Sequence, residues 1–355
     1  MRPDRAETSE AAAGFSELYS LIIAPIKTRL LLTGIELGVF DHLGERRSAE
    51  DLAEILGGSP ERTRIFLDGL AAFDLVIKRE GLYQNSVIAT TFLVGDGPTY
   101  VGNFLTEQWR YIEPVCEDLT THVVDGPPKG KRAEEPRSRE DTGRWAAAVA
   151  EYQRAGVAEM VARAIGELPE FPSFRRMLDL GGGPGLISVA VVAAHPVMRG
   201  AVFDLPPVAE AAEVFVREAG MEGRVEVVAG DFSQDAIGGE YDLILASASL
   251  YSCRGMLGPL MEKVRDALNP GGVFVSLHDG LTNERTKPTA MKLGWLPAEL
   301  LGGEIAFDRG EIASSMRRAG FTSISSRTLS SPVGPMEMDV GRKPGEDIYP
   351  GSDNF

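Results

Sequence analysis

The sequence predicts an α/β protein, with a Rossmann-like, mostly parallel sheet preceded by an N-terminal α-helical domain of winged-helix type. Three observations carry this. From Met177 onward, apolar runs of strand length alternate with helical segments, the pattern of parallel strands joined by crossover helices. The first run, MLDLGGGPG from Met177 to Gly185, ends in an acidic residue and a glycine-rich turn. Ahead of it, residues 48–83 read as helix, turn, helix and hairpin.

In chain order, MRPDRAETSEAAAG (1–14) is polar, lacks a signal-peptide core and is expected to be a disordered tail. Residues 15–43 are apolar at helical spacing and broken by Pro25, which suggests a helix pair needing a partner surface. Ser48, with Asp51 three residues on, caps the next helix, and Gly57-Gly58 ends it. Pro60 opens the following helix, with Ile65, Leu67, Leu70, Phe73 and Leu75 as its buried face. Leu75-Val76-Ile77 and Leu82-Tyr83 pair around Arg79-Glu80-Gly81 as a hairpin. DNA binding by this winged helix is disfavoured. Its second helix carries Glu61, Arg62, Arg64 and Asp68, too balanced to track phosphates.

Residues 92–122 read as helical and contain Trp109; with them the first domain spans 15–122. Residues 123–144, rich in Pro, Gly and charge, read as an exposed loop. A helix resumes from Trp145 to Leu168 and opens a second domain, 145–343, leaving 344–355 as a tail.

The glycine turn of that domain narrows the ligand. A dinucleotide fingerprint counted from Gly181 needs glycine at position 186, which is Leu186, and a phosphate loop needs a lysine that is absent. What remains is Asp179 at a strand end and Gly181, Gly183 and Gly185 spaced by single residues. That suits a ligand with a cationic amino group and no pyrophosphate, such as S-adenosylmethionine. AVFDLP ends a strand in Asp204, nineteen positions beyond Gly185, where an acidic residue can take ribose hydroxyls. Further strands end at Asp231, before Tyr251, and at His278 and Asp279; EIASSMRRAGF and PMEMDVGRK close the domain as a last helix and strand. These residues gather at the carboxyl ends of strands, where such sheets bind ligands.

The net charge of −16 argues against nucleic acid as main partner. Two cysteines and four scattered histidines exclude a disulfide framework and a histidine metal site. No run approaches a membrane span, so insertion is not expected, and a cytoplasmic location is.

DLGGGPG, FDLP, AGDF, YDLILAS and ALNPGG, in this order, resemble the motif series of class I S-adenosylmethionine-dependent methyltransferases. The series is most similar to the small-molecule O-methyltransferase family that includes plant caffeate-type and bacterial carotenoid and bacteriochlorophyll enzymes. The resemblance spans about Phe15 to Lys343. It implies a homodimer built on the N-terminal helices and S-adenosylmethionine as cofactor. It also implies cofactor contacts from Asp179, Gly181, Gly183, Asp204, Leu205, Asp231, Phe232 (the adenine side) and Ser247, where the family has a lysine. Tyr152, Gln153 and Trp109 become substrate-contact candidates.

One departure matters. The family's basic histidine should stand just after the fourth strand, where this chain has Tyr251, Ser252 and Cys253. A phenol titrates near 10, too high for a base at neutral pH. His278, with Asp279 beside it, is the replacement candidate; Glu304 falls within a residue of a second orienting carboxylate. The altered triplet leaves C- or S-methylation, or a degenerate cofactor-binding protein, as alternatives to O-methylation.

Overall fold

A computed structural model describes residues 5–127, 138–303 and 305–345, with side chains described from residue 13 onward. The chain divides into two compact units, Met1–Thr106 and Glu107–Phe355, so the boundary falls before the expected position at 122.

The first unit opens with α1 (Arg5–Glu36), which begins inside the stretch expected to be a tail and carries Pro25 in its interior. The expected helix pair is one continuous helix. Proline removes one backbone donor, and the carbonyl four residues back belongs to Leu21, an exposed residue where water can replace the lost bond. Because the run is unbroken, Ala13–Glu36 is long and apolar enough to cross a membrane by length and composition, which corrects the expectation that no segment reaches that length.

Next come α2 (Ala49–Leu56), α3 (Pro60–Ala71), β1 (Val76–Arg79), β2 (Leu82–Asn85) and α4 (Val87–Phe92). The α2 cap is reciprocal: Asp51 N–H donates to Ser48 Oγ at 3.1 Å, and Ser48 N–H to the Asp51 carboxylate at 3.2 Å. Val39, Phe40, Leu52, Leu67, Leu70 and Tyr83 form the core, while Ile65, expected inside, is 57% exposed. β1 and β2 pair antiparallel around Glu80 and Gly81, both at positive φ, which matches the twist of a tight hairpin. Asp68 of α3 accepts from the Tyr83 hydroxyl at 2.7 Å and Lys78 Nζ at 2.6 Å, so its charge is spent on the hairpin.

Helix α5 (Gly102–Glu117) carries the chain into the second unit, followed by α6 (Leu119–Asp125) and α7 (Arg139–Tyr152). Ser138 Oγ accepts from Asp141 N–H at 3.0 Å and starts α7 six residues before the expected Trp145. The helix expected to run on to Leu168 is broken by a π-turn, Gln153–Val157, before α8 (Ala158–Gly166).

The sheet is built from β3 (Arg176–Leu180), β4 (Arg199–Asp204), β5 (Val225–Ala229), β6 (Tyr241–Ser247), β7 (Leu268–His278), β8 (Thr322–Ser331) and β9 (Gly334–Arg342). Its order is β5-β4-β3-β6-β7-β9-β8, with β3 to β7 pairing in parallel and β9 antiparallel to both its neighbours, β7 and β8. The winding reverses between β3 and β6, opening a crevice at their carboxyl ends. Helices α9 (Leu186–Ala193), α10 (Pro206–Glu218), α11 (Leu257–Ala267), α12 (Thr289–Leu300) and α13 (Glu311–Arg318) complete the unit. Two apolar layers flank the sheet, one around Val161, Ile165, Val191 and Val202, the other around Ile244, Met261, Phe274 and Phe307. The sequence reading missed β8, since its mostly exposed, serine-rich residues give little apolar signal.

Candidate active site

The chain leaves β3 through Gly181, whose φ of +72 suits glycine and where an added Cβ would lie 2.5 Å from Ser249 Cβ. The Phe232 ring edge lies 3.1 Å from the same point, so the adenine-side candidate does border the turn. Gly183 N–H donates to Asp204 Oδ2 at 2.8 Å, and Leu205 N–H to Oδ1 at 2.8 Å. Asp204 is thereby fixed at its strand end by backbone donors, with lone pairs to spare for hydroxyls. Asp231 lies two residues past β5 and accepts from Ser233 and Gln234 side chains; the Ser233 bond holds its carboxyl below the usual range. Ser247 ends β6, and Ser249 Oγ donates to Leu180 O at 2.6 Å.

Asp179 lies beneath the turn rather than open to the crevice. It is fully buried, Ser188 Oγ donates to its Oδ2 at 2.7 Å, and its Oδ1 has no partner. Burial, reinforced by the charge of Asp204, pushes its pKa up to about 7. Two buried or half-buried carboxylates, one with an orphaned oxygen, fit a cationic ligand bound over the turn. The residues present therefore suit S-adenosylmethionine.

On the other side of the crevice, Tyr251 stands in the short helical turn Leu250–Met256 after β6. Its oxygen accepts Asp279 N–H at 3.0 Å. The Trp295 indole N–H of α12 donates to Asp279 Oδ2. The Tyr251 ring lies 4.6 Å from Trp295 and stacks at 5.4 Å on Phe307. Burial raises Asp279 above the usual carboxylate value and Tyr251 well above that of a free phenol. Tyr152, at the end of α7, is pushed up to about 12 by burial, with the charge of Asp279 acting in the same direction. Sequence reasoning missed Trp295, Phe307 and Ser188; only Trp295, a lone indole in a short apolar run, carried any signal.

His278, expected to take the proton, is deeply buried. Alternation along β7 puts its ring, 1% exposed, on the face that carries Phe274 and Ser276. There it meets Phe307 edge-on at 5.7 Å, bonds Ser276 through Nδ1 at 3.2 Å, and keeps Nε2 3.6 Å from Asp339 Oδ2, beyond hydrogen-bond length. Burial drives its pKa down to about 4. Gln153 Oε1 accepts the Leu186 N–H at 3.2 Å. Trp109 lies on α5 with its indole N–H buried and unpartnered. Glu304 lies outside the described residues.

Comparison with known proteins agrees with this geometry. Residues 139–321 match the O-methyltransferase domain, and residues 19–95 the O-methyltransferase dimerisation domain. An N,N-dimethyltransferase, OxyT, of Streptomyces rimosus is 29% identical over 314 residues, covering 86% of this chain and 90% of that protein. Demethylspheroidene O-methyltransferase of Cereibacter sphaeroides is 28% identical over 318 residues, covering 87% and 82%. Human N-acetylserotonin methyltransferase, solved with S-adenosylmethionine, superposes with a TM-score of 0.79 at 23% identity over 96% of this chain and 99% of that one. The chain belongs to the O-methyltransferase family and is a methyltransferase dependent on S-adenosylmethionine.

Proposed function

We propose that the protein methylates an oxygen of a small-molecule acceptor and that Asp279, hydrogen-bonded to Tyr251, receives the displaced proton. The observation that carries this is the buried Tyr251–Asp279–Trp295 cluster, near the carboxyl ends of β6 and β7 and one strand from the cofactor turn. Gly181, Gly183, Asp204, Leu205, Asp231, Phe232 and Ser247 hold the cofactor, while Asp179 acts on its charge through the turn. When bound, S-adenosylmethionine supplies a methyl group already activated by a positive sulfur.

The chain's own residues align the acceptor, exclude water and take a proton. Alignment alone supplies up to roughly 7–11 kcal/mol in favourable cases. A positioned base adds about 10²–10⁴-fold. A carboxylate raised by burial binds a proton more readily than an exposed one, which suits Asp279 to an acidic hydroxyl such as a phenol. Trp295 orients that carboxylate, Tyr251 holds the Asp279 backbone N–H, and Tyr152 borders the acceptor. Trp109 offers a free donor. A nitrogen acceptor is the second reading, favoured by the missing family histidine together with the N,N-dimethyltransferase among the relatives.

The first unit serves as a homodimerisation module of winged-helix form, with the exposed Leu18, Leu21, Ile22 and Ile26 of α1 facing a second copy rather than lipid. Two free cysteines support a cytoplasmic location. The test is incubation with methyl-labelled S-adenosylmethionine and a small-molecule extract. Labelled product and S-adenosylhomocysteine from wild type, with at least a hundredfold less from Asp279→Asn, is the expected result; equal product from both would reject the assignment of the proton.

A further inference from the structure

The end of α7 touches both halves of the site within a few residues. Val149 Cγ1 lies 3.9 Å from where a Cβ on Gly183 would stand, over the cofactor turn. Tyr152 couples electrostatically to Asp279 and Tyr251 on the acceptor side. Gln153 turns the other way, is 5% exposed, and gives its Oε1 to the N–H of Leu186, the first residue of α9. That N–H is one of the donors a helix start leaves unpaired, and its cap residue, Gly185, has no side chain to satisfy it.

The backbone departs from helix just there. Gln153–Val157 forms a π-turn in which Ala155 has ψ of 17 and Gly156 φ of +117, a value that strongly favours glycine. Nothing lies within 4 Å of a Cβ built on Gly156, so its glycine answers to conformation rather than to crowding. Without the widened turn, the helix would carry its side chains round by a regular step. π-turns inside helices occur often at functional sites.

We propose that Gln153 is a positioning residue that ties the acceptor-side helix to the cofactor turn, so that seating the cofactor fixes where Tyr152 stands. Gln153 touches neither ligand; it acts through Leu186 on one side and the π-turn on the other. The proposal rests on the cofactor assignment above.

The test uses full-length protein and S-adenosylhomocysteine as the probe, read by calorimetry and by hydrogen exchange of the segments 149–157 and 181–189. In wild type, the probe should slow exchange in both segments. In Gln153→Leu, binding should weaken about tenfold, and protection should persist at 181–189 but disappear at 149–157. Gln153→Glu keeps an acceptor oxygen at the same reach and should restore the coupled protection; Gln153→Asn, one methylene shorter, should not. The two polar variants keep the question decidable if the leucine variant does not fold. Coupled protection that survives in Gln153→Leu or Gln153→Asn would overturn the proposal, as would its loss in Gln153→Glu. Failure of wild type to bind the probe would instead overturn the cofactor site itself.

Discussion

At the scale of single residues, burial decides more than chemical type. Asp179 is an acid whose folded pKa, about 7, exceeds the ordinary 3.8. Between those values the folded state holds a proton that the unfolded chain has lost, so this residue's contribution to stability falls as pH rises from about 4 to 7. A cationic cofactor favours the ionised form. Affinity for S-adenosylmethionine should therefore strengthen as pH rises through 7, and Asp179→Asn should bind more weakly with little of that pH dependence; calorimetry at several pH values checks it. His278 behaves in the opposite sense. With a folded pKa near 4 against 6.5, it adds stability above pH 6.5 that is lost as pH falls towards 4, because the unfolded ring protonates first. Replacing His278 with Asn should remove that slope from thermal melts between pH 4 and 6.5 and leave turnover near native. The sequence placed Tyr251, His278 and Asp279 at strand ends correctly but could not say which of two adjacent residues faces the crevice. Strand alternation turns them to opposite faces, and their partners show it: His278 meets Phe307, while the Asp279 carboxylate takes the Trp295 N–H.

At the scale of elements, what was legible had a local cause. The glycine turn, the α2 capping box and the parallel strands are written in spacing and residue type within a few positions of one another. Three features were not. The unbroken α1 depends on the exposure of the carbonyl that Pro25 leaves unpaired. The π-turn begins at Gln153, whose bond is to Leu186, thirty-three residues away. β8 pairs with β9 through its backbone while showing solvent mostly polar side chains. α1 also yields a prediction. Phe15, Leu18, Leu21 and Ile22 are each at least 63% exposed on this unit, an apolar stripe that a second copy should cover. The double variant Leu18→Glu, Ile22→Glu should shift the protein from dimer to monomer in light scattering at micromolar concentration; a wild-type monomer near 38.2 kDa would refute the dimer.

For the whole molecule, the function follows from a division of labour across one sheet. In the reading proposed above, the β3–β4 side offers carboxylates and backbone donors to a cationic cofactor, and the β6–β7 side offers Asp279, its backbone N–H bonded to a phenol and its carboxylate to an indole. The family match covers both the catalytic stretch and the N-terminal unit. The most direct measurement is mass spectrometry of a small-molecule extract after incubation with methyl-labelled S-adenosylmethionine, run in parallel on wild type, Asp204→Ala and Asp279→Asn. The account predicts one labelled small molecule with wild type, little with Asp204→Ala until cofactor is raised well above its native requirement, and little with Asp279→Asn at any cofactor concentration. A labelled product formed equally by all three proteins would contradict it.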